Sequence, residues 1–187
     1  MHAIDWDAHG KAIKSFSRNN RKTIHQYVHD WLATGEKIKQ RHNIEQVCPH
    51  CQSPETRDHI IRCPAKQQQR NSFFHLLQKQ LNLWHTEPGL KSLLLQLLTT
   101  NTGTYHGTER NTPWTQQLLQ EQFRIGSSKI WLGFVSQTWG DIQEAYHRRE
   151  KHNMTQTGSI WTKRVIIQLW TFFLDPWTLR NNTLHKQ

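Results

Sequence analysis

Residues 48 to 64 read Cys48-Pro49-His50-Cys51-Gln52-Ser53-Pro54-Glu55-Thr56-Arg57-Asp58-His59-Ile60-Ile61-Arg62-Cys63-Pro64. All three cysteines of the chain fall in this stretch, and with His59 they give the spacing C-x2-C-x7-H-x3-C. Two thiolates two residues apart grip one metal from a tight turn, while a His and a Cys four apart share one face of a helical turn. Cys48, Cys51, His59 and Cys63 therefore read as the ligands of one zinc ion. Four protein ligands leave no open position, so the zinc is expected to be structural. His50 sits inside the Cys-x2-Cys turn and is a poor substitute ligand; His42 and His75 are more distant ones. Structural zinc contributes on the order of 10 kcal/mol of apparent binding energy in small modules. Loss of Cys51 or of the metal is thus expected to loosen the first hundred residues.

Working outward, the site has helical signals on both sides. Upstream, Gly10 marks a break before Lys11 to Phe16, and from Arg18 the residues Ile24, Tyr27, Val28, Trp31 and Leu32 fall at i, i+3, i+4, i+7 and i+8, one apolar stripe. Thr34-Gly35 ends that helix, and Glu36 to Val47 reads as a polar connection. Inside the site, Ser53 and Pro54 look like an N-cap and a first-turn proline, and the short helix after them turns Ile60 and Ile61 toward neighbouring helices.

Downstream, Phe73, Phe74, Leu77, Leu81 and Trp84 support a helix over Ala65 to Trp84, and Leu90, Leu93, Leu94, Leu97 and Leu98 support a second one from Pro88. Residues 101–112 are rich in Thr, Asn and Gly without periodicity and read as a loop between subdomains. Pro113 opens a helix with Trp114, Leu118, Leu119 and Phe123 inward, stopped by Gly126. Ser127 or Ser128 caps a longer one through Trp131, Phe134, Val135, Thr138, Trp139, Ile142, Ala145 and Tyr146. Gly133 and Gly140 cost about 1 kcal/mol each inside a helix, so close packing is the expected compensation. Arg148, Arg149 and Lys151 suit the end of its dipole. After a break at Asn153 to Gly158, Trp161, Val165, Ile166, Leu169, Trp170 and Phe173 form a last apolar helix, which Asp175-Pro176 either kinks or restarts. Almost nothing alternates with period two. The expected fold is all-α, a multi-helix assembly with a Cys-Cys-His-Cys zinc knuckle, divided into a zinc-binding subdomain over 1–100 and an aromatic-rich helical subdomain over 113–187.

The net charge is +10 over 187 residues, and its excess lies ahead of the zinc site: residues 11 to 41 hold eight basic and two acidic side chains. Clustered positive charge favours a polyanion, RNA or DNA, with phosphate contacts expected from Lys11, Lys14, Arg18, Arg21, Lys22, Lys37, Lys39 and Arg41. The alternative is a set of solvated helix faces. Three cysteines beside a well-spaced His argue against a disulfide framework and for a reducing, intracellular compartment, nucleus or cytoplasm. No run of 18 apolar residues and no signal core is present, so neither membrane insertion nor secretion is indicated.

The string around Cys48, Pro49, Cys51, Glu55, Thr56, His59, Cys63 and Pro64 resembles the zinc-binding segment that follows the polymerase in reverse transcriptases of retrotransposons lacking long terminal repeats. The lead-in Asp30-Trp31-Leu32-Ala33-Thr34-Gly35 is similar too. So are Ile125-Gly126 with Trp131, Gly133 and Trp139, and the closing Trp177-x2-Arg180-Asn181-x3-His185, to the helical tails of related open reading frames. That family's polymerase needs paired aspartates for two magnesium ions. Here Asp5, Asp7, Asp30, Asp58, Asp141 and Asp175 include no adjacent pair, and Cys63-Pro64 leads into no nuclease-like acidic motif. The resemblance implies a non-catalytic, zinc-stabilised accessory region that binds nucleic acid, with an upstream reverse transcriptase domain as a partner. A zinc-stapled protein interaction module is the alternative, whereas a zinc hydrolase is disfavoured by the closed ligand set.

Overall fold

Short polar side chains set where the helices begin. In the structure, a computed structural model that describes residues 4–100, 112–150 and 157–185, nine α-helices account for most of the described residues. They are α1 (Trp6–Lys14), α2 (Arg18–Val28), α3 (Gly35–His42), α4 (Arg57–Arg62), α5 (Gln67–Leu83), α6 (Pro88–Thr99), α7 (Pro113–Ile125), α8 (Gln137–Arg149) and α9 (Gly158–His185). Asp5, Ser17, Thr34, Thr56, Glu87, Thr112 and Ser136 each accept a hydrogen bond from a first-turn N–H, which satisfies a donor the helix itself leaves unpaired. No strand occurs among the described residues, only the isolated bridges Ile4 to Ser136 and Val47 to Pro54. The all-α expectation holds.

Several boundaries differ from the sequence reading. Helix α1 runs straight through Gly10, because Asp5 caps it and Ala8 and Ala12 are buried against neighbours. Helix α2 stops at Val28 rather than at Thr34. There Asp30 adopts φ 58°, Asp30 N donates to Tyr27 O and Trp31 N donates to Gln26 O, the paired closure of a Schellman turn. Trp31 is thereby thrown off the apolar stripe and is 60 % exposed. Thr34 starts a helix instead of ending one, so the supposed polar connection contains α3. The cap of α4 is Thr56, not Ser53, with His59 N donating to its hydroxyl at 3.1 Å. The single long helix expected after Ser127 is two pieces: a 3-10 segment over Ser127–Leu132 closed by Gly133 at φ 78°, then α8. Pro176 lies inside α9, which continues past it. The expected loop at 101–111, Lys151 and the break over 153–156 lie outside the described residues.

By packing, the chain groups into two compact units, one of Met1–Ser15 with Leu76–Leu169 and one of Phe16–His75 with Trp170–Gln187. Each draws on distant sequence, whereas the sequence reading divides the chain consecutively at 101–112.

The larger unit is built on leucine and tryptophan: Leu90, Leu94, Leu118, Trp139 and Trp161 are almost fully buried. Gln122, also fully buried, accepts from Ser136 N at 3.0 Å and Trp139 Nε1 at 3.1 Å and donates to Phe134 O at 3.1 Å. It takes the inward position expected of Phe123, which is exposed. Gly140 and Gly158 meet face to face; a Cβ on Gly158 would stand 2.0 Å from Gly140 O. That contact is the close packing expected of Gly140, whereas Gly133 serves the turn. The smaller unit contains the cysteines. Its apolar centre stacks Tyr27 on Phe173 at 3.8 Å and Phe73 on Phe172 at 4.3 Å, over Ile24, Leu32, Ile60 and Ile61.

Candidate metal centre

The loop before α4 is shaped by its backbone. Cys48 N donates to Ser53 O at 2.9 Å, Gln52 N donates to Cys48 O at 2.9 Å, and Gln52 sits in the left-handed region at φ 59°. This turn brings the first two thiols around one point, while α4 places His59 in its first turn and Cys63 at its C-terminal cap. The sulfur or ring-nitrogen atoms of Cys48, Cys51, His59 and Cys63 all lie within 4.8 Å of one another. Cys48 Sγ and Cys63 Sγ are 3.8 Å apart, and Cys51 Sγ is 3.2 Å from His59 Nε2. No disulfide is formed. A sulfur–sulfur distance of 3.8 Å is far longer than a bond, yet it equals the edge of roughly 3.8 Å that follows from tetrahedral Zn–S bonds of about 2.3 Å. The four residues expected from spacing are therefore brought together and fit a metal ion.

Burial and close neighbours shift the ionisation of three of the four groups. Burial pushes the Cys63 thiol up to about 12, and the neighbouring Cys51 and Cys48 thiols add to the shift. Burial also works against ionisation of Cys51, but hydrogen bonds from the backbone and hydroxyl of Ser53 and from the other thiols outweigh it and hold its pKa below the ordinary thiol range. For His59, burial is the main cause of a lowered pKa, with Glu55 opposing and Lys66 assisting, so its ring is held in the neutral, ligating form. Cys63 thus resists becoming a thiolate beside its neighbours; a bound divalent cation would remove that resistance by supplying the opposite charge.

Around the four ligands lies a set of contacts that sequence reasoning did not assign. Glu55, buried to 2 %, accepts from Arg180 Nε at 3.0 Å and Arg180 Nη2 at 2.6 Å, and from Gly35 N at 3.0 Å. Arg180, itself 5 % exposed, also donates to Ala33 O at 3.0 Å and lies over the Trp177 ring at 4.9 Å. Charged groups this deeply buried are tolerated when paired with good geometry and further hydrogen bonds. The cluster ties the metal loop, the start of α3 and the end of α9 to one carboxylate. Gly35 is required where it stands, since a Cβ there would lie 1.9 Å from Gln46 O. Arg70 Nη1 donates to Cys63 O at 3.1 Å, and the buried Lys66 ammonium donates to Pro176 O at 2.9 Å. Both Glu55 and Arg180 belong to the resembling motifs. That was the available signal, but separation by 125 residues hid their pairing.

The eight basic residues separate into three groups. Arg18, Arg21 and Lys22 are exposed on α2, and Lys39 and Arg41 on α3, all in the unit that contains the cysteines. Lys37 is half-buried and bound to Asp30 at 2.7 Å, and Lys39 pairs with Glu45 at 2.7 Å. Lys11 and Lys14 are exposed on α1 in the other unit, Lys11 bound to Asp7 at 2.6 Å. Among the described residues, Lys14, Arg18, Arg21, Lys22 and Arg41 have no ion pair. No protein family, curated protein or solved structure matches this chain. No helix among the described residues is long and apolar enough to cross a membrane.

Proposed function

We propose that this chain is a zinc-stapled helical module that binds nucleic acid and catalyses no reaction of its own. The observation that supports it most is one face of α2. Arg18, Arg21 and Lys22 stand exposed there without carboxylate partners among the described residues, on a helix whose opposite side, Ile24, Tyr27 and Val28, is buried. A rigid cationic row of this kind suits phosphate contacts. Zinc is the metal that suits three thiolates and one imidazole in a closed tetrahedral set. By resemblance, the role is that of an accessory region to a retrotransposon reverse transcriptase, engaging template or target. The test is binding of RNA and DNA by the zinc-loaded chain across a salt series. Affinity is expected to fall steeply with salt, and the joint variant Arg18→Glu, Arg21→Glu, Lys22→Glu, Arg41→Glu is expected to lose it. Binding unaffected by those four reversals counts against the reading.

A second reading, a zinc-stapled protein interaction module, has one observation in its favour. A cleft of about 430 Å3 in the metal-bearing unit is lined by apolar surface from Ala33, Ile38, Trp177 and Leu184. It predicts capture of a protein partner that is indifferent to salt and to nuclease, which the same salt series and a nuclease-treated pulldown would separate from the first reading.

A further inference from the structure

Beyond its cations, the exposed face of α2 runs on through His25 and the cap residue His29 into Trp31, an aromatic column that leaves the helix end. Arg18, Lys22, His25 and His29 follow one another by four, three and four residues, and Arg21 precedes His25 by four, so they line one side of the helix and its cap, and all five are exposed. The His25 and His29 rings stack at 6.2 Å with planes 10° apart, and His29 stacks on Trp31 at 5.0 Å with planes 27° apart. Trp31 keeps 60 % of its surface in solvent. Asp30, next to His29 in the chain, is bound by Lys37 at 2.7 Å and faces Arg57 at 3.9 Å, so its charge is matched from both sides. Single exposed tryptophans are common on surfaces. Three rings continuing a row of three cations along about 16 Å of helix are not a scatter of that kind.

Resting on the reading of α2 as a nucleic-acid face, we infer that the His25–His29–Trp31 column is a base-stacking platform, and that the ligand is single-stranded nucleic acid. Unpaired bases offer their faces to aromatic rings, whereas in a duplex those faces are stacked on each other. The cations would follow the backbone while Trp31, the largest and most open ring, receives a base. Stacking of this type tolerates any sequence, because every base has an aromatic face.

The experiment measures binding of the full zinc-loaded chain to labelled oligouridine RNA, oligothymidine DNA and a mixed-sequence duplex of equal length. The single strands are expected to bind more tightly than the duplex, and the preferred strand, RNA or DNA, identifies the source of the ligand. Trp31→Ala is expected to weaken single-strand binding about ten-fold or more, leaving duplex binding and the salt slope unchanged. Trp31→Phe is expected to retain most of the affinity. Because Trp31 is exposed, the variant keeps its helical content, which circular dichroism checks. Single-strand binding by Trp31→Ala equal to that of the parent, or parent affinity no higher for single strands than for duplex, overturns the platform while leaving the cationic face intact. Absence of binding to all three probes overturns both.

Discussion

The unit of residues 16–75 and 170–187 ties distant segments together through a thiol cluster and a buried ion pair, whereas the unit of residues 4–15 and 76–169 does so largely through neutral amides. In the first, three thiols and an imidazole converge on one point, and the Glu55–Arg180 pair lies beside Gly35 and Ala33. In the second, Gln122 joins Ser136, Phe134 and Trp139, and Gln143 accepts from Glu87 N at 2.9 Å and donates to His85 O at 3.0 Å. A neutral amide network loses a modest amount when one member is removed, because each hydrogen bond replaces one to water. A paired charge or a metal ligand loses far more, since what remains is an uncompensated ion or an empty cluster. If the proposed zinc is bound, the first unit is expected to depend on it, while the second is expected to hold without one.

Variants at four places break or sharpen this contrast. Cys51→Ser or chelation removes a contribution on the order of 10 kcal/mol and is expected to unfold the metal-bearing unit alone, read as lost helical signal from α2 to α4 with α6 to α8 retained. Arg180→Met leaves the Glu55 carboxylate buried without its partner and is expected to cost about 3–5 kcal/mol in denaturant unfolding. The pair Glu55→Leu, Arg180→Met, which removes both charges, is expected to recover much of that loss. Gln122→Leu strands Ser136 N and the Trp139 indole N–H, for about 2 kcal/mol, with metal affinity unchanged in a competition titration. Gly158→Ala forces a methyl toward Gly140 O and is expected to cost about 1–3 kcal/mol, again in the unit without the metal. A fall in metal affinity in either of the last two would show that the two units do not separate as described.

The candidate metal cluster was legible because its chemistry needs particular residue types at short spacing, all within Cys48 to Cys63. Helices with a clean stripe were legible too: Leu90, Leu93, Leu94, Leu97 and Leu98, five of the six leucines of α6, are buried, as their spacing requires. Misreadings came where backbone geometry overrides periodicity. Trp31 continues the stripe of α2 on paper, but the turn through the left-handed Asp30 ends the helix at Val28. Gly133 was read as a packing glycine inside a helix, although its positive φ makes it a stop. The inward Gln122 was invisible because a buried amide and an exposed one leave the same mark in sequence. Glu55 and Arg180 were visible as motif letters, but nothing in a single sequence tells that positions 125 residues apart share a bond.

The claim that a metal ion holds one unit and not the other is tested most directly by metal analysis joined to amide hydrogen exchange, on protein purified without chelator and then stripped. The account predicts one zinc per chain, and on its removal a loss of protection in α2 to α4 and residues 170–185, with α6 to α8 protected as before. Protein that carries no metal, or protection in α2 to α4 that is the same before and after stripping, would contradict it.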